Sequence, residues 1–411
     1  MVSTILKNGL LPALLLLSLI MMSCENEETG SIYDPNFQSP KPAAVITNIT
    51  PTNGLGGVTV ITINGSNFSS VPAENIVYFD TKQAVVQSAS STQLKVKAPD
   101  LVKDTIKIKI GVANSTLFSN TAIVKLEAAV IEFGQLAATD EAWGTTVDAT
   151  GNFYVSLLSY GSGVGVKKIT PEGKRSDYAP TGGVTKWSAI KFGPGGELYC
   201  ARILRAIYKI PAGGGNPVAW VAFGSLGTVF DLDFDQNQNI WAGGNNTSVY
   251  RVKQDKSVAA YPLDMNVRSI RVFNGYVYCG GKLNSDGSER IIRFRIDPST
   301  ADLGTQEDIF NLTTSPNGGV GKTLYAISFA TDGDMYVGTD ASEPIIIVHA
   351  DKSTEPLHPG LLKPAMHIFS SISKSNYLVA INGTASSGAV STSGKIYKIN
   401  ILKTIAPYFG Q

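Results

Sequence analysis

The chain has 411 residues, a formal charge of +1 and 41 glycines. Its length allows two or three domains, and its charge balance supplies no basic field for nucleic acid. Tyr, Phe, Val and Ile recur throughout without a long amphipathic helical period, which predicts an all-β protein with many turns.

Residues 1–23 carry Lys7, an apolar run from Leu10 to Ile20, and then Met21-Met22-Ser23 before Cys24. A positive start followed by a short apolar stretch reads as an export leader, too short to be kept as a membrane span. Ser23-Cys24 resembles a bacterial lipobox, in which the leader is cut before the cysteine and the cysteine receives lipid. Two methionines stand where that motif usually has Leu-Ala-Gly. The alternative is a plain secreted chain with an incidental cysteine. Glu25-Asn26-Glu27-Glu28 resembles the surface-export signal of Bacteroidetes-type lipoproteins, or is an ordinary solvated tether. Residues 24–42 have little to bury and read as an acidic, Pro-containing linker. The other cysteines, Cys200 and Cys279, fall at equivalent places in two repeats and are expected as buried free thiols.

Residues 43–127 contain short alternating runs at 58–63, 76–79, 84–88, 93–97, 105–112 and 122–126, separated by turn residues. This predicts a β-sandwich of immunoglobulin size. The phrase Ile49-Thr50-Pro51-Thr52-Asn53-Gly54-Leu55-Gly56-Gly57, then Val60-Thr62-Ile63-Asn64-Gly65-Ser66-Asn67-Phe68, resembles the IPT/TIG domain. Val77-Tyr78-Phe79 and Leu94 to Pro99 continue the pattern. Gly65 is expected to permit a bend before Phe68 enters the core. With no histidine and no carboxylate cluster, the segment reads as a spacer, or else as a direct binder, and not as a centre of chemistry.

From residue 128 onward one phrase repeats: two apolar runs flanking an Asp/Asn/Gly/Pro turn. Copies lie at 145–155, 190–200, 232–241, 270–279, 327–337 and 370–379, each followed by a third alternating strand and usually a fourth. Four strands per repeat of about 40–55 residues is the mark of a propeller, and six copies predict six blades over residues 128–411. Residues 129–134 or 404–410 would close the ring. The phrases around Asp148 to Val155 and Asp332 to Val337 resemble NHL-type propellers and their virginiamycin-B-lyase and gluconolactonase relatives. They mark the fold and not the activity.

Residues just before each inner strand border the central channel, and the alignment selects Trp143, Trp187, Phe230, Arg268, Tyr325 and His367, or Ile368 in place of His367. Aromatic rings with polar neighbours such as Lys186, Ser188, Asp231 and Asn266 suit stacking on sugar rings. The alternative is that these rings simply pack the channel rim. The lactonase resemblance implies carboxylates around a divalent metal, and the lyase resemblance a histidine-rich site. Here only Asp148, Asp231 and Asp233 approach the ring, a poor cage for a hard cation. Of the three histidines only His367 reaches the rim. Asp332-Gly333-Asp334 and Asp235 to Asn239 read as hairpin turns before calcium loops. No catalytic residue, metal or cofactor is therefore expected.

The expected function is a non-catalytic surface lipoprotein that binds a complex glycan. The Bacteroidetes-type export signal implies an outer membrane location, facing outward. It also implies an outer-membrane transporter of the starch-utilisation type as partner. The rivals are a lyase- or lactonase-like enzyme, and an adhesion or scaffold protein that contacts another protein.

Overall fold

The computed structural model describes residues 41–411 apart from 204, 225–226, 364–365, 373, 387–388 and 392–394. The leader, Cys24 and nearly all of the tether lie outside the described residues. No helix among the described residues is long and apolar enough to cross a membrane.

The first unit is a β-sandwich of strands Val45–Thr50, Asn53–Leu55, Val60–Ser66, Asn75–Phe79, Lys82–Ala89, Gln93–Lys97, Lys103–Val112 and Ala122–Glu127. Alternate residues turn inward, as the period of two requires. Ile61, Ile63, Val77, Phe79, Leu94, Val96, Ile106, Ile108 and Ile110 form its core, with no solvent exposure. Residue 65 must be glycine, since a Cβ there would lie 1.9 Å from the Val45 carbonyl oxygen and 2.6 Å from the Phe68 ring.

The second unit is a six-bladed propeller. Blade 1 comprises Asp140–Val147, Phe153–Ser159, Ser162–Ile169 and Arg175–Ala179, and blade 2 comprises Ala189–Phe192, Leu198–Arg202, Ala206–Ile210 and Val218–Ala222. Blades 3 and 4 share one strand, Val258–Phe273, which is outermost in blade 3 and innermost in blade 4. Blade 5 comprises Leu324–Phe329, Met335–Thr339, Ile345–Val348 and Thr354–Pro356. Blade 6 pairs Met366–Ser371, Tyr377–Asn382 and Ile396–Asn400 with a strand from the start of the domain, Val130–Phe133. Val130–Phe133 therefore closes the ring.

The C-terminal segment does different work. Ile405 bridges Ala330, the Ala406 amide donates to Phe329 O, and the Gln411 amide side chain donates to Val147 O and Ser371 O. The tail thus spans the end of the channel at which the inner hairpins turn. The Tyr408 ring sits there between two cations, 3.7 Å from the Arg271 guanidinium and 4.3 Å from Lys191 Nζ.

The hairpins of blades 1 and 3 share a lock. Asp148 accepts from the Asn152 amide, Asn152 Nδ2 and Tyr154 Oη, and Asp235 accepts from the Asn239 amide, Asn239 Nδ2 and Trp241 Nε1. The spacing Asp, +4, +6 thus ties each turn to the strand after it. In blade 5 Ala330 occupies the Asp place, and Tyr336 Oη has no hydrogen-bond partner among the described residues. Asp148 and Asp235 spend their acceptors on their own turns. Cys200 and Cys279 are buried free thiols.

Arg271 is 1% exposed and Asp233 not at all; they pair at 2.7 Å, and Arg271 also donates to Pro407 O at 2.7 Å. Arg271→Ala would strand the Asp233 carboxylate in the core and is expected to cost about 3–5 kcal/mol in urea unfolding. Lys395→Ala, which removes only the exposed pair with Glu132, is expected to cost less than about 1 kcal/mol.

Candidate functional site

Each inner strand runs from an irregular first residue at one end of the channel to a hairpin turn at the other. In blades 2 and 3 that first residue is marked by its hydrogen bond. The Ser188 amide donates to Ala201 O at 3.0 Å, and the Phe230 amide to Gly243 O at 2.7 Å. In the other blades it falls where the pairing register slips, at Ala142/Thr145, Val267/Ser269, Leu324/Ala326 and Met366/Ile368. The ring of structurally equivalent residues is therefore Gly144, Ser188, Phe230, Arg268, Tyr325 and His367.

Four of the residues selected from sequence, Phe230, Arg268, Tyr325 and His367, are brought together around one cavity with Thr145, Ser188, Lys191, Asp231, Ser269 and Tyr408. Trp143 and Trp187 do not line it. Trp187 is 1% exposed and packs between blades 1 and 2, with its ring 5.1 Å from Tyr208. Trp143 is buried beneath Lys186, whose Nζ lies 3.4 Å from the ring centroid. The bulge puts each tryptophan one residue ahead of the channel position. Gly144 takes that position in blade 1, where a Cβ would meet the Ala189 backbone at 2.7 Å. Of the polar neighbours selected, Ser188 and Asp231 line the cavity. Asn266 pairs across the shared strand with Asn245.

Arg268 is not a free cation. Its guanidinium grips Glu289 through two bonds of 2.7 and 3.1 Å and donates to Leu324 O at 3.1 Å. Tyr325 and His367 stack at 4.3 Å between centroids with 18° between planes. His367 is 4% exposed, and neither ring nitrogen has a partner among the described residues. Burial pushes its pKa down to about 4, against the pull of Asp340, so the ring is neutral at physiological pH. Asp231 is pushed the other way, up to about 6, by burial, with Lys191 and the amides of Ile270 and Leu232 opposing. Both amide bonds are 2.8 Å long. Among the described residues no three of His, Cys, Asp and Glu converge as a metal cage. The cavity is narrow. Its water-accommodating volume is about 30 Å³, room for roughly one or two waters. Phe230 and Arg268, half-exposed, form its open side.

Glu289, Asp340 and Tyr408 were not selected from sequence. Glu289 and Asp340 lie on other strands or loops, and Tyr408 lies in a tail with no repeat pattern. Lys191, on the inner strand of blade 2, was visible in the repeat but hidden by its apparent role as a strand residue.

Residues 44–124 match the IPT/TIG domain family. No curated protein matches the chain in sequence. Among solved structures, the fold is similar to that of an auxiliary nutrient binding protein from Bacteroides thetaiotaomicron. The two share 14% identity, with a TM-score of 0.53, covering 89% of this chain and 98% of that one. An auxiliary nutrient binding protein from Bacteroides ovatus shares 12% identity with a TM-score of 0.50, over 88% and 98% of the two chains. A putative phosphatase from Bacteroides thetaiotaomicron is similar at 11% identity and TM-score 0.53, over 87% and 97%. These likenesses establish a sandwich followed by a propeller as a shared fold.

His367 and Asp231 oppose each other as pH falls. Unfolded histidine takes its proton near pH 6.5, whereas folded His367 refuses it until about 4, so its effect on stability worsens on acidification across that window. Folded Asp231 keeps its proton up to about pH 6, whereas the unfolded carboxyl releases it near 4, so acidification favours the fold there. His367→Gln removes only the first effect. Relative to the parent protein it is expected to gain about 2–3 kcal/mol between pH 7 and 4.5, read from urea midpoints at both values.

Proposed function

We propose that the chain is a non-catalytic binding protein, carried on the outer surface of a Bacteroidetes-type cell by lipid on Cys24. The sandwich serves as spacer and the propeller holds the ligand for an outer-membrane transporter of the starch-utilisation type. The observation that carries this reading is the channel mouth. It combines an aromatic ring, Phe230, with a stacked Tyr325–His367 pair and a charge-cancelled Arg268–Glu289 pair. Such a surface suits the apolar faces and hydroxyls of an uncharged sugar. The description of two full-length structural likenesses as nutrient binding proteins supports the same class.

The narrowness of the cavity limits what enters it. A chain end or a single hydroxyl reaches His367, and the rest of a glycan lies across the mouth. The same narrowness favours a second reading, a scaffold that contacts another protein and takes no sugar.

The test is glycan-array and affinity-gel binding by the mature protein. Phe230→Ala with Tyr325→Ala is expected to weaken binding about tenfold or more, from the loss of two stacking contacts of roughly 0.5–1.5 kcal/mol each. Turnover of a glycan or lactone that depends on His367 would overturn the reading. Co-purification with a membrane complex in the absence of any glycan binding would transfer the site to the scaffold reading.

A further inference from the structure

The mouth is not the propeller's one recess near its axis. On the opposite face, where the inner hairpins turn, a groove of about 530 Å³ runs between blades 3 and 4 and the C-terminal tail. That volume falls in the range of small-molecule sites, and the mouth cavity is more than tenfold smaller. We propose that this groove is a second ligand site, built for an uncharged oligosaccharide.

Its walls carry the argument. Phe273 and Phe409 line it while half-buried. Each is held by a neighbouring ring. Phe273 stacks on Phe329 at 4.4 Å with 8° between planes, and Phe409 leans on Phe234 at 5.2 Å. Fixed aromatic surfaces of this kind lose little side-chain freedom when a ligand arrives. The rim is formed by exposed amides, Gln236, Asn237 and Asn274. An amide offers both donors and an acceptor, which is what a sugar hydroxyl, itself donor and acceptor, needs.

Charge completes the case. The charged side chains in the wall are Asp235 and Arg271, and both are already engaged. Asp235 accepts from Asn239 and Trp241. Arg271 pairs with Asp233 and donates to Ala406 O and Pro407 O. A charged ligand would leave water for a groove that offers no free counter-charge, and that desolvation counts against it. An uncharged ligand with apolar ring faces and hydroxyl edges meets no such penalty. Tyr408 walls this groove and also floors the mouth cavity, so one ring separates the two sites.

The groove shares with the mouth only the class of ligand, and the residues altered to test it are disjoint. Calorimetric titration of the mature protein with cellohexaose, maltohexaose and mannohexaose gives the baseline. The Phe230→Ala, Tyr325→Ala double variant removes the mouth. It is expected to keep binding at least one hexasaccharide, and adding Phe273→Ala is expected to weaken that remainder tenfold or more. Gln236→Ala with Asn237→Ala, both on an exposed turn, is expected to weaken it several-fold with an unchanged melting temperature. This second pair guards against the chance that Phe273→Ala fails to fold. If the mouth double variant binds none of the three sugars, or if the groove variants bind them as the parent does, the groove is not a sugar site. Saturable binding of a charged sugar acid in preference to all three would equally overturn the proposal. If the mouth double variant binds as tightly as the parent while the groove variants lose binding, the groove stands and the mouth reading falls.

Discussion

The propeller depends on one unpaired edge per blade. The inner strand of each blade bonds to its neighbour on one side only, and its other edge faces the channel, where little water fits. Buried amides left without acceptors would cost the fold heavily. The neighbouring blade supplies the acceptors where they are resolved. Asp231 and Asp233 of blade 3 take the Ile270 and Val272 amides of blade 4, each at 2.8 Å. Ser269 of blade 4 takes the Ile327 amide of blade 5 at 3.1 Å. Glu289 takes the Leu324 amide and holds Arg268 with the same carboxylate. Asp231, Asp233, Ser269 and Glu289 are thus accounted for first by the backbone they satisfy.

This accounting separates the channel's structural groups from its free ones. An acid that accepts two backbone amides has little capacity left for a substrate proton, and an arginine gripped by two carboxylate oxygens has little left for an anion. Ser328, fully buried on the inner strand of blade 5, has a hydroxyl unpartnered among the described residues, and His367 stands further apart. Its ring is held by stacking, its nitrogens are unsatisfied among the described residues, and it borders the cavity. A buried polar group without a partner is unfavourable unless something fills the place. Water or a ligand hydroxyl would fill it.

Much of the fold was legible in the sequence because its local rules are strong. Alternation with a period of two located the strands, and the Asp/Asn/Gly turns located the hairpins. The Asp, +4, +6 lock accounts for the Asp and Asn of the blade 1 and blade 3 turns. The site was less legible. A bulge moves side chains by one residue, and nothing in a single repeat announces it. Trp143 and Trp187 therefore aligned with Phe230 and Arg268 by spacing, although Gly144 and Ser188 occupy the equivalent places. The small residue directly after each tryptophan was the available signal, since only a small side chain fits where Gly144 meets the Ala189 backbone. The role of the tail carried no periodic trace. It touches all six blades, through residues that share no repeat position.

The tail also sets the relation between the two faces. A ring closed by Val130–Phe133 has no need of its C-terminus for strand pairing, so residues 404–411 are free to cross the axis. In doing so they place Tyr408 between Lys191 and Arg271, where the ring's π-face meets cations on both sides. Those two cations come from different blades, and Arg271 is itself locked to Asp233. The ring is therefore fixed by blades 2, 3 and 4 together. A channel open at both ends would let solvent reach the edge amides from either side. With Tyr408 in place, the mouth is shallow and the deeper recess is displaced to the hairpin face. The same tail that seals the axis thereby makes the wall of the groove beside it.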